Sequence, residues 1–223
     1  MSIWIKICGN TSVEDARLAA GAGADALGFV FAPSPRRVTV EQLAAIVPQL
    51  PEGVEKIGVF VDAAFEEIAR AVSACELTGV QLHSDAGPDV PAELRARFGH
   101  ELRILRVIHF GAGATEHVAG VACDTNIDAV LVDSRTATAV GGTGVSFDWT
   151  EAAKTLFRDA GEWRLRLVAA GGLKPENVAE AIATLRPWGV DVVSGVEAAP
   201  GRKDPDKVRA FVANARAAEL ALA

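Results

Sequence analysis

The feature that most constrains this chain is an alternation carried from end to end, in which short apolar runs are each followed by a helical pattern. Eight runs read as strands: Trp4–Cys8, Ala26–Phe31, Lys56–Val61, Gly79–His83, Leu102–Val107, Ala129–Val132, Leu165–Ala170 and Val190–Ser194. They are rich in Val, Ile, Leu and Phe, as strands covered on both faces must be. Between them, apolar residues recur at i, i+3, i+4 and i+7, as in Leu43, Ile46, Val47 and Leu50, in Phe65, Ile68, Ala69 and Val72, and in Val208, Phe211, Val212 and Ala215. Trp149, Ala152, Ala153, Leu156 and Phe157 extend the same rule. Thr11 with Glu14, and Thr39 with Gln42, read as capping boxes. Pro175 and Pro205 sit where first helical residues belong. The segment Thr115–Ala122 is the faintest of the helical patterns.

Eight strand–helix units within 223 residues, with no linker or low-complexity stretch, predict an α/β fold in which residues 1–223 form one (β/α)8 TIM barrel. A doubly wound open sheet is the competitor. It would normally carry G-x-G-x-x-G after its first strand, but here that strand runs into Cys8-Gly9-Asn10. The net charge of −7 argues against a nucleic-acid partner, which needs a basic surface. Any anionic ligand must therefore be held by local positive groups. No apolar stretch approaches the ~20 residues that span a bilayer, so no membrane partner is expected. Three scattered cysteines and no signal-peptide pattern suggest a reduced, cytoplasmic protein.

In a barrel of this kind the chemistry lies at the C-terminal ends of the strands and in the loops that follow. That rule selects Cys8, Arg36 with Arg37, Asp62, His83, His109, Asp133, Gly171-Gly172 and Ser194-Gly195. Loops after strands seven and eight often bind phosphate through backbone N–H groups, and Gly171, Gly172, Ser194 and Gly195 are the candidate cradle. In strand one, Ile3, Ile5 and Ile7 should face the helices while Lys6 and Cys8 point into the barrel. A lysine there needs a carboxylate, and Asp133 and Asp191 are the candidates. A free cysteine is most often a small buried hydrophobe. At a strand end beside a lysine, Cys8 is instead a candidate base. Position alone leaves Asp133 either a solvated strand-end residue or a general acid. The tract Gly141–Gly144 reads as a mobile loop near Asp133.

Ordered blocks then carry a resemblance: Lys6-Ile7-Cys8-Gly9, Gly28-Phe29-Val30-Phe31, Gly58-Val59-Phe60-Val61, Val80-Gln81-Leu82-His83, Leu131-Val132-Asp133, Gly141-Gly142-Thr143-Gly144, Gly171-Gly172-Leu173 and Ser194-Gly195-Val196-Glu197 through Lys203-Asp204. Together they resemble the phosphoribosylanthranilate isomerase family of tryptophan biosynthesis. The resemblance implies a cofactor-free Amadori rearrangement of a phosphorylated small molecule, with no metal, by a monomer or homodimer. It places the general base at Cys8, the general acid at Asp133, and the clamp for the anthranilate carboxylate at Arg37 rather than Arg36. His83 and Asp191 join Arg37 in the substrate-binding set, and the two glycine-bearing loops hold phosphate. Two positions depart from the family pattern, Ser84 and Val193.

For this chemistry Cys8 must start deprotonated and Asp133 protonated, the reverse of their reference pKa order. Lys6 is expected to lower the Cys8 pKa, and a dry barrel mouth to raise that of Asp133. Two rivals remain at the level of sequence. One is a metal-dependent sugar-phosphate epimerase using His83, His109, Asp62 and Asp133. The other is a non-catalytic barrel that senses a phosphorylated ligand.

Overall fold

The structure is a computed structural model that describes residues 2–83, 87, 89–134, 148–157 and 165–221. Its eight parallel strands are β1 (Trp4–Ile7), β2 (Ala26–Val30), β3 (Glu55–Phe60), β4 (Gly79–Leu82), β5 (Arg103–His109), β6 (Ala129–Asp133), β7 (Arg166–Ala169) and β8 (Gly189–Val192). Each pairs with the next, and β8 pairs with β1, so the sheet closes into a barrel. All eight predicted strands are present, with ends shifted by one or two residues.

The helices are α1 (Val13–Gly21), α2 (Val40–Ile46), α3 (Phe65–Ala74), α4 (Val90–Phe98), α5 (Ala114–Ala122), α6 (Trp149–Ala152), α7 (Val178–Leu185) and α8 (Pro205–Leu220). A π-helical turn, Ala153–Phe157, continues α6 and carries the predicted apolar stripe onward. The faint pattern at 115–122 is α5. A short antiparallel hairpin, β9 (Glu197–Ala199) and β10 (Arg202–Lys203), precedes α8. Among the described residues no helix is long and apolar enough to cross a membrane.

Two sequence-based capping expectations need correction. At α1 the cap is Ser12, whose hydroxyl accepts from the Asp15 N–H, while Thr11 donates instead to the Gly201 carbonyl. Adjacent Thr and Ser both satisfy the motif locally, and a partner 190 residues away takes the first of them. Pro175 lies in the turn ahead of α7 and not at its first position. By contrast, Thr39 and Gln42 form the full capping box of α2, and Pro205 opens α8 behind the Asp204 cap.

Strand alternation divides the core in two. Ile3, Ile5 and Ile7 face outward and pack with helix residues such as Ala16, Ala19, Phe211 and Val212. The inward set, including Trp4, Ala26, Ile57, Leu105, Leu131 and Val168, fills the barrel. At its floor Trp4 stacks on Trp188, with Arg103 over both rings and Arg166 over Trp188. The floor is thus sealed by large side chains, which leaves the opposite end for a pocket.

Candidate active site

A cavity of about 330 Å³ opens at the C-terminal ends of the strands. Its walls include Cys8 after β1, Arg36 after β2, His83 after β4, Asp133 ending β6, Gly171 and Gly172 after β7, Asp191 in β8 and Ser194 after it. Most of the residues selected from the sequence therefore converge on one place. Cys8 and Asp133 sit on strands separated by β7 and β8 around the ring.

Beneath the cavity Lys6 is fully buried. Its ammonium donates to Asp191 and to Gln81, each at 2.8 Å. Of the two carboxylates the sequence offered, Asp191 is the partner, because β1 and β8 are neighbours with Lys6 and Asp191 in register. Gln81 as a second acceptor was not foreseen, since an amide in an apolar strand gives no charge signal. Burial opposes the Lys6 charge, but Asp191 and Cys8 outweigh it and raise the Lys6 pKa above its ordinary value.

Cys8 is buried, and Gly28 on the neighbouring strand makes room for it, since a Cβ at that position would collide with the Cys8 sulfur. The expected depression of the Cys8 pKa is corrected by the structure. Burial is the largest influence and raises it, Lys6 lowers it, Asp191 raises it and Lys203 lowers it, and the outcome lies above the ordinary thiol value. The lysine acts in the expected direction; desolvation at the barrel wall overrides it.

Asp133 ends β6, and its carboxylate accepts the Ser134 N–H at 2.7 Å. Gly171 has φ +78, and a Cβ there would press on the Asp133 carboxylate and the Ser134 hydroxyl. That glycine therefore leaves space for the carboxylate as well as shaping the loop. The N–H groups of Gly172 and Ser194 donate to no backbone carbonyl among the described residues. Gly195 lies off the cavity wall, packed so closely on the Leu173 carbonyl that no side chain would fit. It docks the two loops together. Val193, one departure from the family pattern, lines the cavity. Ser84 and Gly141–Gly144 lie outside the described residues.

The two neighbouring arginines lie in different surroundings. Arg36 lines the wall, and its guanidinium is held in a two-pronged pair by Glu197, at 2.8 and 2.7 Å. Arg37 is exposed, one residue beyond the wall, and its side chain makes no hydrogen bond or ion pair among the described residues. His83 lies on the wall with its ring 6.3 Å from that of His109, whereas Asp62 is not part of the wall. Glu197 and Lys203 are further polar residues at the site that sequence reasoning gave no role. Their only signal was membership of the closing motif block.

A closed parallel barrel whose cavity at the C-terminal ends of the strands is lined by an aspartate, a thiol and two glycine-bearing loops has the site architecture of a (β/α)8 enzyme. A family model described as N-(5'phosphoribosyl)anthranilate (PRA) isomerase matches residues 5–214. The chain is 44% identical over 217 residues to the N-(5'-phosphoribosyl)anthranilate isomerase of Trichlorobacter lovleyi, spanning 97% of this chain and 99% of that one. It superposes on phosphoribosyl anthranilate isomerase from Thermotoga maritima with a TM-score of 0.85 at 35% identity, covering 96% and 99% of the two chains. A further structure, of a phosphoribosyl anthranilate isomerase in complex with reduced 1-(o-carboxyphenylamino)-1-deoxyribulose 5-phosphate, matches with a TM-score of 0.81, again at 35% identity over 96% and 99%. The chain belongs to the N-(5'-phosphoribosyl)anthranilate isomerase family, the isomerases of tryptophan biosynthesis, and is an isomerase of that kind.

Proposed function

We propose that the cavity converts N-(5-phosphoribosyl)anthranilate into 1-(2-carboxyphenylamino)-1-deoxyribulose 5-phosphate with Cys8 as general base and Asp133 as general acid. The observation that carries this reading is that both side chains line one cavity beside the glycine-lined loops after β7 and β8. Asp133 protonates the ribose ring oxygen as the C1–O bond breaks, and the anthranilate nitrogen supplies electrons to form a Schiff base. The Cys8 thiolate then takes the proton from C2, giving an enolamine. Gain of a proton at C1 and loss of the one on the C2 hydroxyl yield the ketone. Each step moves a proton, and side chains are competent for all of them. Gly172 and Ser194 offer N–H groups to the phosphate, while His83 and Asp191 complete the substrate-facing wall.

The test is direct. Purified protein given N-(5-phosphoribosyl)anthranilate should abolish its fluorescence, and should do so equally after exhaustive chelation. Activity that is lost to chelation and restored by one divalent ion would overturn the scheme in favour of an epimerase-like metal site.

Arg37 is assigned the anthranilate carboxylate. The Arg36 charge is already taken by Glu197, while the Arg37 guanidinium on the same loop is uncommitted. A hydrogen bond to a charged group contributes about 1.5–3 kcal/mol. Arg37→Ala should therefore raise KM about tenfold or more with kcat little changed, as expected of a clamp used equally in ground and transition states. If Arg36→Ala gives the larger KM effect, the clamp is Arg36 and Glu197 must release it on binding.

The raised Cys8 pKa sets the pH response. The base works only when deprotonated, and burial keeps the thiol protonated near neutrality. Alkylation of Cys8 by iodoacetamide in the folded protein should accordingly have its midpoint at a higher pH than that of an unperturbed thiol. A midpoint below the ordinary value would mean that Lys6 and Lys203 outweigh burial.

A further inference from the structure

Lys203 is a buried charge with no part in the chemistry above. It is 3% exposed, and its ammonium donates to the Cys8 carbonyl at 2.5 Å and to the Val193 carbonyl and Glu197 Oε1 at 3.4 Å each. Three acceptors match the three donors of an ammonium, which is how such a charge survives burial. Its own N–H donates to Asp15 in α1, and the Gly201 N–H donates to Glu197, so the β9–β10 hairpin is fixed from both sides. Through Glu197 the same network reaches Arg36. One lysine thus ties together the ends of β1 and β8 and the loop after β2, each of which carries cavity wall.

We propose that Lys203 is a positioning residue for the isomerisation: anchored by Glu197, its ammonium holds the Cys8 and Val193 carbonyls in place and supplies the second cation, after Lys6, beside the Cys8 thiol. The charged groups facing Cys8 are Lys6 on β1, Asp191 on β8, Lys203 on β10 and Arg36 after β2, with Asp133 and His83 on the same cavity wall. Burial raises the thiol most, and Lys6 and Lys203 are the cations that counter it. Lys203 itself is drawn below its ordinary value by burial, against the pull of Glu197. A plain structural staple would hold the loops equally well but would leave the thiol's ionisation untouched.

The proposal rests on Cys8 as the base, and the test reads the thiol directly so that the two ideas fail separately. Folded full-length protein is treated with iodoacetamide across a pH series. Labelling at Cys8 is resolved by peptide mass spectrometry from that at Cys75 and Cys123, which are also free. In Lys203→Met the labelling midpoint should move up by roughly half to one pH unit. kcat near neutrality should fall about three- to tenfold, with KM within about twofold. Lys203→Arg, which keeps the charge, should return the midpoint toward wild type. An unmoved midpoint in Lys203→Met, or no recovery with arginine, overturns the proposal. If Lys203→Met does not fold, Lys203→Gln, which keeps hydrogen-bond donors but not the charge, takes its place. Its midpoint should also move up, and an unmoved one is equally fatal. Retained kcat in Cys8→Ala would instead dismiss Cys8 as base while leaving the labelling result standing.

Discussion

Cys8→Ala and Asp133→Asn should each lower kcat by at least about a hundredfold while leaving the affinity for phosphate-bearing ligands nearly unchanged. The reasoning is geometric. Both groups line the cavity, but the proposed phosphate cradle lies in the loops after β7 and β8, whose glycines and N–H groups neither substitution removes. Loss of a positioned acid or base removes an interaction made in the transition state, so kcat falls and ground-state binding stays. The wild type should give a bell-shaped pH–rate profile, and each variant should lose one limb. Asp133→Asn carries a subtlety, because the amide still fits the space left by Gly171 and still accepts the Ser134 N–H. It tests proton donation without disturbing the loop. Near-normal kcat in Cys8→Ala would reduce the thiol to a packing group at the end of β1.

Lys6→Met should cost about 3–5 kcal/mol of stability, the usual result of stripping one partner from a buried ion pair. The substitution leaves the Asp191 carboxylate buried without its cation and frees the Gln81 amide oxygen. Removing both charges should cost much less, so Lys6→Met combined with Asp191→Leu should recover a large part of the loss. Denaturant titration of the two variants gives the comparison, and a double variant no more stable than the single one would show that the pair matters for more than its charges. The sign of the pH response follows from the raised Lys6 pKa. Asp191 and Cys8 hold the folded-state value above 10.5. The contribution of the Lys6 charge is therefore complete below that pH and is lost as pH rises through the folded-state value. Acid does not touch Lys6. Glu197 behaves in the opposite sense: Arg36 and Lys203 hold its pKa below 4.5 against burial, so its contribution is present above that pH and disappears on acidification.

Much of the barrel was legible because closed parallel sheets impose two periodicities at once. The apolar runs marked the strands, and alternation in β1 correctly sent Ile5 and Ile7 to the helices and Lys6 inward. The strand-end rule then placed Cys8, His83, Asp133, Gly171, Gly172 and Ser194 around one cavity without any knowledge of contacts. Local patterns failed where distant chain decides. The first turn of α1 offered two hydroxyls, and only Gly201, far along the sequence, determines that Thr11 is used elsewhere. Position after β2 does not by itself separate Arg36 from Arg37, and it is Glu197 that draws the first onto the wall. The Cys8 pKa was misjudged because one lysine was visible in sequence, whereas the depth of burial that outweighs it was not. Lys203 reaches Cys8 across 195 positions, a separation no spacing rule detects.

Lys6 is separated from Asp191 by 185 positions, although the two side chains touch. While the chain is being made, β1 emerges early and must wait until β8 appears before its lysine finds a carboxylate. Until then the ammonium favours water, and the segment around it cannot enter an apolar interior. Loop closure over such a span is among the slow events of folding. The seam between the first and last strands can therefore close only once residue 191 has been made, and the buried pair bridges it. A nascent barrel that has not reached residue 191 stays open at that seam, and the cavity bearing Cys8 comes into being only when the two ends of the sheet meet.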